Sequence, residues 1–393
     1  MWDAIHYIDI ALWLVVAAST AYVGFFAIIS LFYSKDENYI YNKSSRIVSQ
    51  EQHRFLILFP AYNEDAVIVN SIEQFTYQEY PQELYTVAVI SDHMTDETNA
   101  RLSKYPITLL RPTFEKSSKA KAMQYALDHV SEAFDFIVVL DADNVVQPSF
   151  LRQLNVLCNS GYDAIQCHRC AKNSNNDVAV LDGVSEEINN TIFRKAHNRI
   201  GLSSALIGSG MCFRYDLFKK NVFELTTAGE DREMEALLLK QNVFIKYAAD
   251  IHVFDEKVSN KDNFQRQRMR WMTAQVQSLV RQLPYIPRAV LHGNVNYVDK
   301  TIQQALIPRS FLIVIIGGMA VLLSLLVPVW AGKWWALLAI LAVALIIATP
   351  KELRSRTVFG KLITLPNLVW RMVKNLLHLD IKNTDFLHTT HNK

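Results

Sequence analysis

Apolar positions are distributed unevenly along this chain. From Ile10 to Tyr33 no charged residue occurs, a run of about 24 positions, enough for a helix to cross a hydrocarbon core of about 30 Å. A cleavable signal peptide is the competing reading. It fails because Asp3 and Asp9 precede the run without any Lys or Arg, while Lys35, Lys43 and Arg46 follow it. The positive-inside rule then puts residues 1–34 across the membrane with their N-terminus outside and the following domain in the cytoplasm. Ser310 to Trp330 and Trp334 to Pro350 are two further uncharged stretches, separated by Ala331, Gly332 and Lys333. They predict a transmembrane hairpin over 310–350, with Trp330, Trp334 and Trp335 as an interfacial belt at its turn. Lys351, Arg354, Arg356 and Lys361 follow and return residues 351–393 to the cytoplasm.

Between residues 50 and 285 the pattern changes. Short β-rich runs (55–59, 86–90, 136–140 and 164–166) alternate with helical periodicity at 64–77, 117–131 and 148–158. Such βαβ alternation predicts an α/β, Rossmann-like domain built on a mainly parallel sheet. Ligands in such sheets bind beyond the carboxyl ends of the strands. Residues 286–309 read as an interfacial segment. In the tail, Leu365, Leu368, Val369, Met372, Val373, Leu376 and Leu377 form a stripe opposite Arg371 and Lys374, as in a helix lying in the membrane interface. A partner-binding helix is the alternative.

Composition narrows the function classes. Half of the 393 residues are hydrophobic, which excludes a disordered chain. Forty Lys and Arg against 38 Asp and Glu leave a net charge of +2, so there is no basic field for nucleic acid. Four cysteines in this length favour a reducing compartment over a disulfide scaffold. Cys167-His168-Arg169-Cys170 has no second ligand pair to complete a zinc site and reads as strand packing.

The chemistry-bearing residues follow the predicted strands. The first run ends in Pro60-Ala61-Tyr62-Asn63-Glu64, the second in Ser91-Asp92 and the third in Asp141-Ala142-Asp143. Asp-x-Asp at a strand end offers hard oxygen ligands for Mg²⁺ or Mn²⁺, which a nucleotide diphosphate needs beside carboxylates. About one such tripeptide is expected by chance in a chain of this length, so its place after a strand gives it weight. Glu230-Asp231 precedes a helical stretch, and Gln267, Arg270 and Trp271 lie in another at i, i+3 and i+4. Chance would place Gln-x-x-Arg-Trp here only on the order of 0.01–0.02 times. A snorkelling Arg with an interfacial Trp is the bland alternative, as an N-cap is for Asp231.

In order and spacing, these blocks resemble the membrane-integrated family 2 glycosyltransferases, the group of the cellulose, hyaluronan and chitin-oligosaccharide synthases. The resemblance implies a GT-A fold and an enzyme acting on a UDP-sugar. By resemblance, Pro60, Ala61, Tyr62, Glu64 and Asp92 bind the nucleotide, Lys119, Asp141, Gln267 and Arg270 serve the donor, and Asp143 with Asp141 holds the metal. Gly208-Ser209-Gly210 and Trp271 border the acceptor. Ser91-Asp92-His93-Met94 departs from the group's Asp-Asp-x-Ser pattern. On the side chains themselves, metal and Arg270 stabilise the leaving diphosphate, and a carboxylate such as Asp231, with Glu230 as second candidate, deprotonates an acceptor hydroxyl. One base without a second nucleophile implies inversion and a β-linkage. The alternative is a non-catalytic membrane subunit that binds or passes a glycan. Three spans are few for a polymer pore. Either the acceptor is a lipid reached from the membrane, or a homo-oligomer or secretion partner completes a glycan path.

Overall fold

The computed structural model describes residues 2–32, 51–173, 177–227, 229–257 and 261–354, with Trp2 and the first six residues of the last stretch as backbone only. The amphipathic stripe at 362–379, together with most of the 351–393 tail, lies outside the described residues.

Helix α1 (Trp2–Ile29) precedes the α/β unit. Strand β1 (Phe55–Tyr62) is followed by α2 (Ile68–Phe75), β2 (Tyr85–Asp92), α3 (Asp96–Leu102), β3 (Thr108–Leu110), α4 (Lys119–His129), β4 (Phe136–Val139), β5 (Val145–Val146), α5 (Phe150–Cys158) and β6 (Ala164–Ala171). Helix α6 (Asp177–Asn189) runs on through a π-helical stretch, Asn190–Ala196, and a last turn, His197–Arg199. Then come β7 (Met211–Arg214), α7 (Tyr215–Val222), α8 (Glu230–Lys240), β8 (Ile245–Asp255), α9 (Lys261–Gln282), α10 (Ile286–Leu291), α11 (Val295–Ala305), α12 (Arg309–Leu326) and α13 (Pro328–Ala348).

One eight-stranded sheet has the order β3-β2-β1-β4-β7-β6-β8-β5. Pairs β1–β2, β1–β4, β2–β3 and β6–β8 are parallel, whereas β7 runs antiparallel between β4 and β6, and β5 antiparallel to β8. The sheet is therefore mixed rather than wholly parallel: after the helical rod 177–199 the chain returns through residues 200–210 and runs β7 against both of its neighbours. Both faces are covered. Phe55, Ile57 and Phe59 face one apolar cluster and Leu56 and Leu58 the other, which is why β1 reads as a continuous apolar run.

Helices α1, α12 and α13 are long and apolar enough to cross a membrane, and they pack against one another and against Val184, Ile188 and Ile192. The hairpin turns at Val327, so the 331–333 break expected between the two spans lies inside α13; in the early turns of that helix Trp334 Nε1 donates to Asp9 at 2.9 Å and Lys333 pairs with Asp9. At the other end, Tyr22 Oη donates to Asp299 at 2.7 Å and lies 2.9 Å from His197 Nε2. One end of the bundle thus abuts the sheet domain. The segment between α9 and α12 forms α10 and α11, with Val290, Leu291, Val295 and Ile302 exposed.

Candidate active site

Register brings the motifs together. Tyr62 pairs with Asp92 at the carboxyl ends of β1 and β2, and the β4 end delivers Asp141-Ala142-Asp143 beside them. Asn63 and His93, each just past a strand, adopt left-handed backbone (φ 53° and 57°), and Asn63 N–H donates to Asp92 O at 3.1 Å. His93 Nδ1 lies 2.6 Å from Asp92 Oδ1, so the departure from the common loop pattern puts an imidazole on the aspartate.

A cavity of about 510 Å³ opens above these ends. It is lined by Pro60, Ala61, Tyr62, Glu64, Asp92, Lys119, Asp141, Asp143, Gly208, Glu230, Asp231, Gln267, Arg270 and Trp271, all singled out from the sequence. Ser209 and Gly210 do not line it. Ser209 is fully buried and its Oγ accepts from Asp141 N–H at 3.1 Å and donates to Asn144. Gly210 (φ +63°) sits where a Cβ would meet Val253 at 2.9 Å, so only glycine lets the backbone pass. Ser209 thus holds the Asp141 backbone, while Gly210 N–H donates to Val139 O at 2.9 Å.

Gly208 marks the centre. At φ +82° it leaves a gap in which a Cβ would lie 3.8 Å from each of Lys119 Nζ, Glu230 Oε1 and Asp231 Oδ2. Lys119, in the first turn of α4, pairs with Asp141, donates to Gly208 O at 2.6 Å and stands 3.9 Å from Glu230. Burial alone would lower its pKa, but Asp141 and Glu230 raise it, so it stays charged. Glu230 and Asp231 open α8, where the helix dipole favours negative charge. A Cβ on Gly229 would stand 3.1 Å from Ala274, which shows how tightly α8 starts against α9. Burial, and then Asp231 beside it, push Glu230 up to about 7 against the pull of Lys119.

The strand-end carboxylates are crowded. Burial, then Asp141 and Glu256, raise Glu64 to about 8. Burial with Asp255 and Asp141 raises Asp143 well above the usual range, although Glu256 N–H donates to its Oδ2 at 2.9 Å. No group of three His, Cys, Asp or Glu side chains is set for coordination among the described residues. A Mg²⁺-type ion takes one or two carboxylates and completes its shell with substrate phosphates and water. The excess of negative charge around Asp141 and Asp143 fits that need.

Sequence reasoning missed the opposite wall. Arg169, Asp182, Glu186, Arg194, Lys257, Arg268 and Arg309 also line the cavity. Glu186 is met by Arg169 at 3.0 Å, Arg194 at 3.5 Å and Lys257 at 3.8 Å. Burial works against its charge, yet these three cations hold it well below the ordinary carboxylate range. Arg268 pairs with Asp182 at 2.5 Å and lies 4.8 Å over the Trp271 ring. The polar spacing 182, 186, 189, 190 and 194 along one helical rod is the signal that marks this wall in the sequence.

Comparison with known proteins gives the family. The profile described as "Glycosyltransferase like family 2" matches residues 53–274. No curated protein sequence matches significantly. Among solved structures, the mannosyltransferase PcManGT from Pyrobaculum calidifontis, in complex with GDP-Man and Mn²⁺, is 17% identical with a TM-score of 0.51. The alignment covers 93% of this chain and 100% of that one. S. aureus TarS 1-349 is 15% identical over 82% of this chain and 88% of its own, with a TM-score of 0.44. The first shares the GT-A fold, and the profile spans more than half of the sequence: the chain belongs to glycosyltransferase-like family 2 and is a glycosyltransferase.

Proposed function

We propose that the protein is an inverting transferase. It moves a sugar from a UDP-sugar to a glycan or lipid acceptor at the cytoplasmic face of a membrane, forms a β-linkage, and serves polysaccharide or glycolipid synthesis. The observation that carries this reading is the gap over Gly208, with Lys119, Glu230 and Asp231 equidistant around it. A cation and two carboxylates there suit a reaction in which an acceptor loses a proton while a diphosphate gains charge.

Pro60, Ala61, Tyr62, Glu64 and Asp92 cradle the nucleotide, and Lys119, Gln267 and Arg270 the diphosphate. Asp143 and Asp141 would hold Mg²⁺ or Mn²⁺. Such an ion, when bound, neutralises diphosphate charge. Asp231 takes the acceptor hydroxyl proton. The hydroxyl oxygen bonds the anomeric carbon as the bond to the donor phosphate breaks, and UDP leaves with the electron pair. Trp271 and Gly208 border the acceptor, and Ser209 and Gly210 hold the loop beneath it. The three apolar helices support the membrane setting by length and composition.

A panel of UDP-sugars, with GDP-mannose beside them, tests the donor on purified protein with Mn²⁺. UDP release from one UDP-sugar is the expected result. Release of GDP alone would reassign the nucleotide, and release of neither would overturn the reading.

A further inference from the structure

The first turn of α12 opens into the cavity. Ile307, Pro308, Arg309 and Ser310 all line it, at the end where the apolar helices meet the sheet domain. No side chain caps this 18-residue helix. The N–H groups of Phe311 and Leu312 close on Pro308 O at 2.9 and 3.0 Å, leaving those of Arg309 and Ser310 without a partner among the described residues. A helix N-terminus of this length carries partial positive charge and free donors, the elements of an anion site.

The Arg309 side chain is the second, independent observation. Its Nη2 donates to Ser185 O at 3.0 Å, Ser185 Oγ at 3.2 Å and Asn189 Oδ1 at 2.8 Å. Its Nη1 is buried with no acceptor. No carboxylate reaches ion-pair distance of this guanidinium among the described residues. The other arginines of the wall are matched, Arg268 by Asp182 and Arg169 and Arg194 by Glu186. The residue is partly buried, and its Nη1 is shielded from solvent without an acceptor, a cost that an anionic ligand would relieve.

We propose that Arg309 and the first turn of α12 bind the phosphate of a membrane-lipid acceptor. This inference rests on the glycosyltransferase reading of the cavity. Two backbone N–H groups and one guanidinium N–H match the several acceptor oxygens of a phosphate. A lipid is favoured over a free ion because apolar side chains lead away from it: Met272 and Phe311 pack with Met269, Ile307 and Ile315, and Val23 of α1 borders the same cavity.

The test uses the full chain in detergent micelles, with phosphatidic acid, diacylglycerol and inorganic phosphate as probes and UDP titrated separately. Phosphatidic acid should bind about tenfold or more tightly than diacylglycerol, as charge-assisted hydrogen bonds require. Arg309→Gln should erase most of that preference while leaving UDP affinity within a few-fold. Because Arg309 also ties α12 to α6, Ser310→Asp is the second variant. It places a carboxylate in the amide cradle, favours the helix through its dipole, and should abolish the preference in a folded protein. Equal binding of the two lipids, or a preference that survives both variants, would overturn the proposal. Inorganic phosphate that competes at the same concentration as the lipid would overturn the lipid assignment. Failure of UDP to bind the wild type would count against the donor reading alone, since the lipid comparison is read independently.

Discussion

The two ends of the cavity handle buried charge in opposite ways. At the strand ends, Glu64 and Asp143 are pushed up by burial and by neighbouring carboxylates, with Lys119 set against Asp141. At the helix-bundle end, Glu186 is held down by Arg169, Lys257 and Arg194 after burial is overcome. Carboxylates that keep their protons for want of a cation would gain from taking one up. A carboxylate enclosed by three cations is a structural tie and gains nothing from another. The same residue type therefore does different work according to which charges the fold leaves unmatched.

Breaking the acidic end should have the largest effect. Asp143→Asn removes a proposed ligand, and loss of several kcal/mol of charge stabilisation should slow turnover about 10⁴-fold. UDP-sugar binding in the wild type should require Mn²⁺ or Mg²⁺. Undiminished binding in excess chelator would remove the metal from this end of the cavity.

Asp231→Asn sharpens the same end by separating chemistry from binding. As a base acting on the acceptor, Asp231 should contribute about 10²–10⁴ in rate while UDP affinity stays within a few-fold. Near-normal turnover would hand the role to Glu230, which burial and Asp231 already hold at about 7.

The acidic end was legible in the sequence and the cationic wall was not, for physical reasons. Strands β1, β2 and β4 are covered on both faces, so each is a continuous apolar run that announces its own carboxyl end and the motif after it. Strand β8 hides because Ala248, Ala249 and Asp250 interrupt its pattern at the register shift opposite Cys167 and His168. With it went Asp255, Glu256 and Lys257. Strand β7 is four residues long and antiparallel, which no βαβ alternation announces. Arg169 lies inside a Cys-x-x-Cys run that reads as strand packing, a pattern in which the arginine carries no signal of its own. Arg309 lay one residue outside the uncharged stretch that defined a span.

Glu186→Gln tests whether the cationic wall is a structural tie. Removing one partner of a buried ionic cluster leaves the others uncompensated, which costs about 3–5 kcal/mol. Chemical denaturation of the detergent-solubilised protein measures it. The sign with pH follows from the depressed folded value: the contribution is present above the ordinary value of 4.5 and lost as pH falls toward the folded one. A cost under about 1 kcal/mol would mean the cluster behaves like exposed pairs and would erase the contrast.

The smallest effect is a proton count at Glu64. Its ordinary value of 4.5 rises to about 8 in the fold, first by burial and then by Asp141, Glu256 and Asp65. Between those values the folded protein holds a proton that the unfolded chain has released. This group's contribution to stability is therefore full below about 4.5 and is lost as pH rises through about 8. A divalent cation at Asp141 and Asp143 offsets the repulsion and should pull the value down, so Mn²⁺ binding releases protons. Calorimetric titrations in buffers of different ionisation enthalpy should show release at pH 7 that fades above pH 8, with Glu64→Gln removing its share. The apparent Mn²⁺ affinity should climb with pH over the same window. Binding without proton release at pH 7 would mean that the cation does not relieve the crowding at the strand ends, and the two ends of the cavity would no longer differ in what they lack.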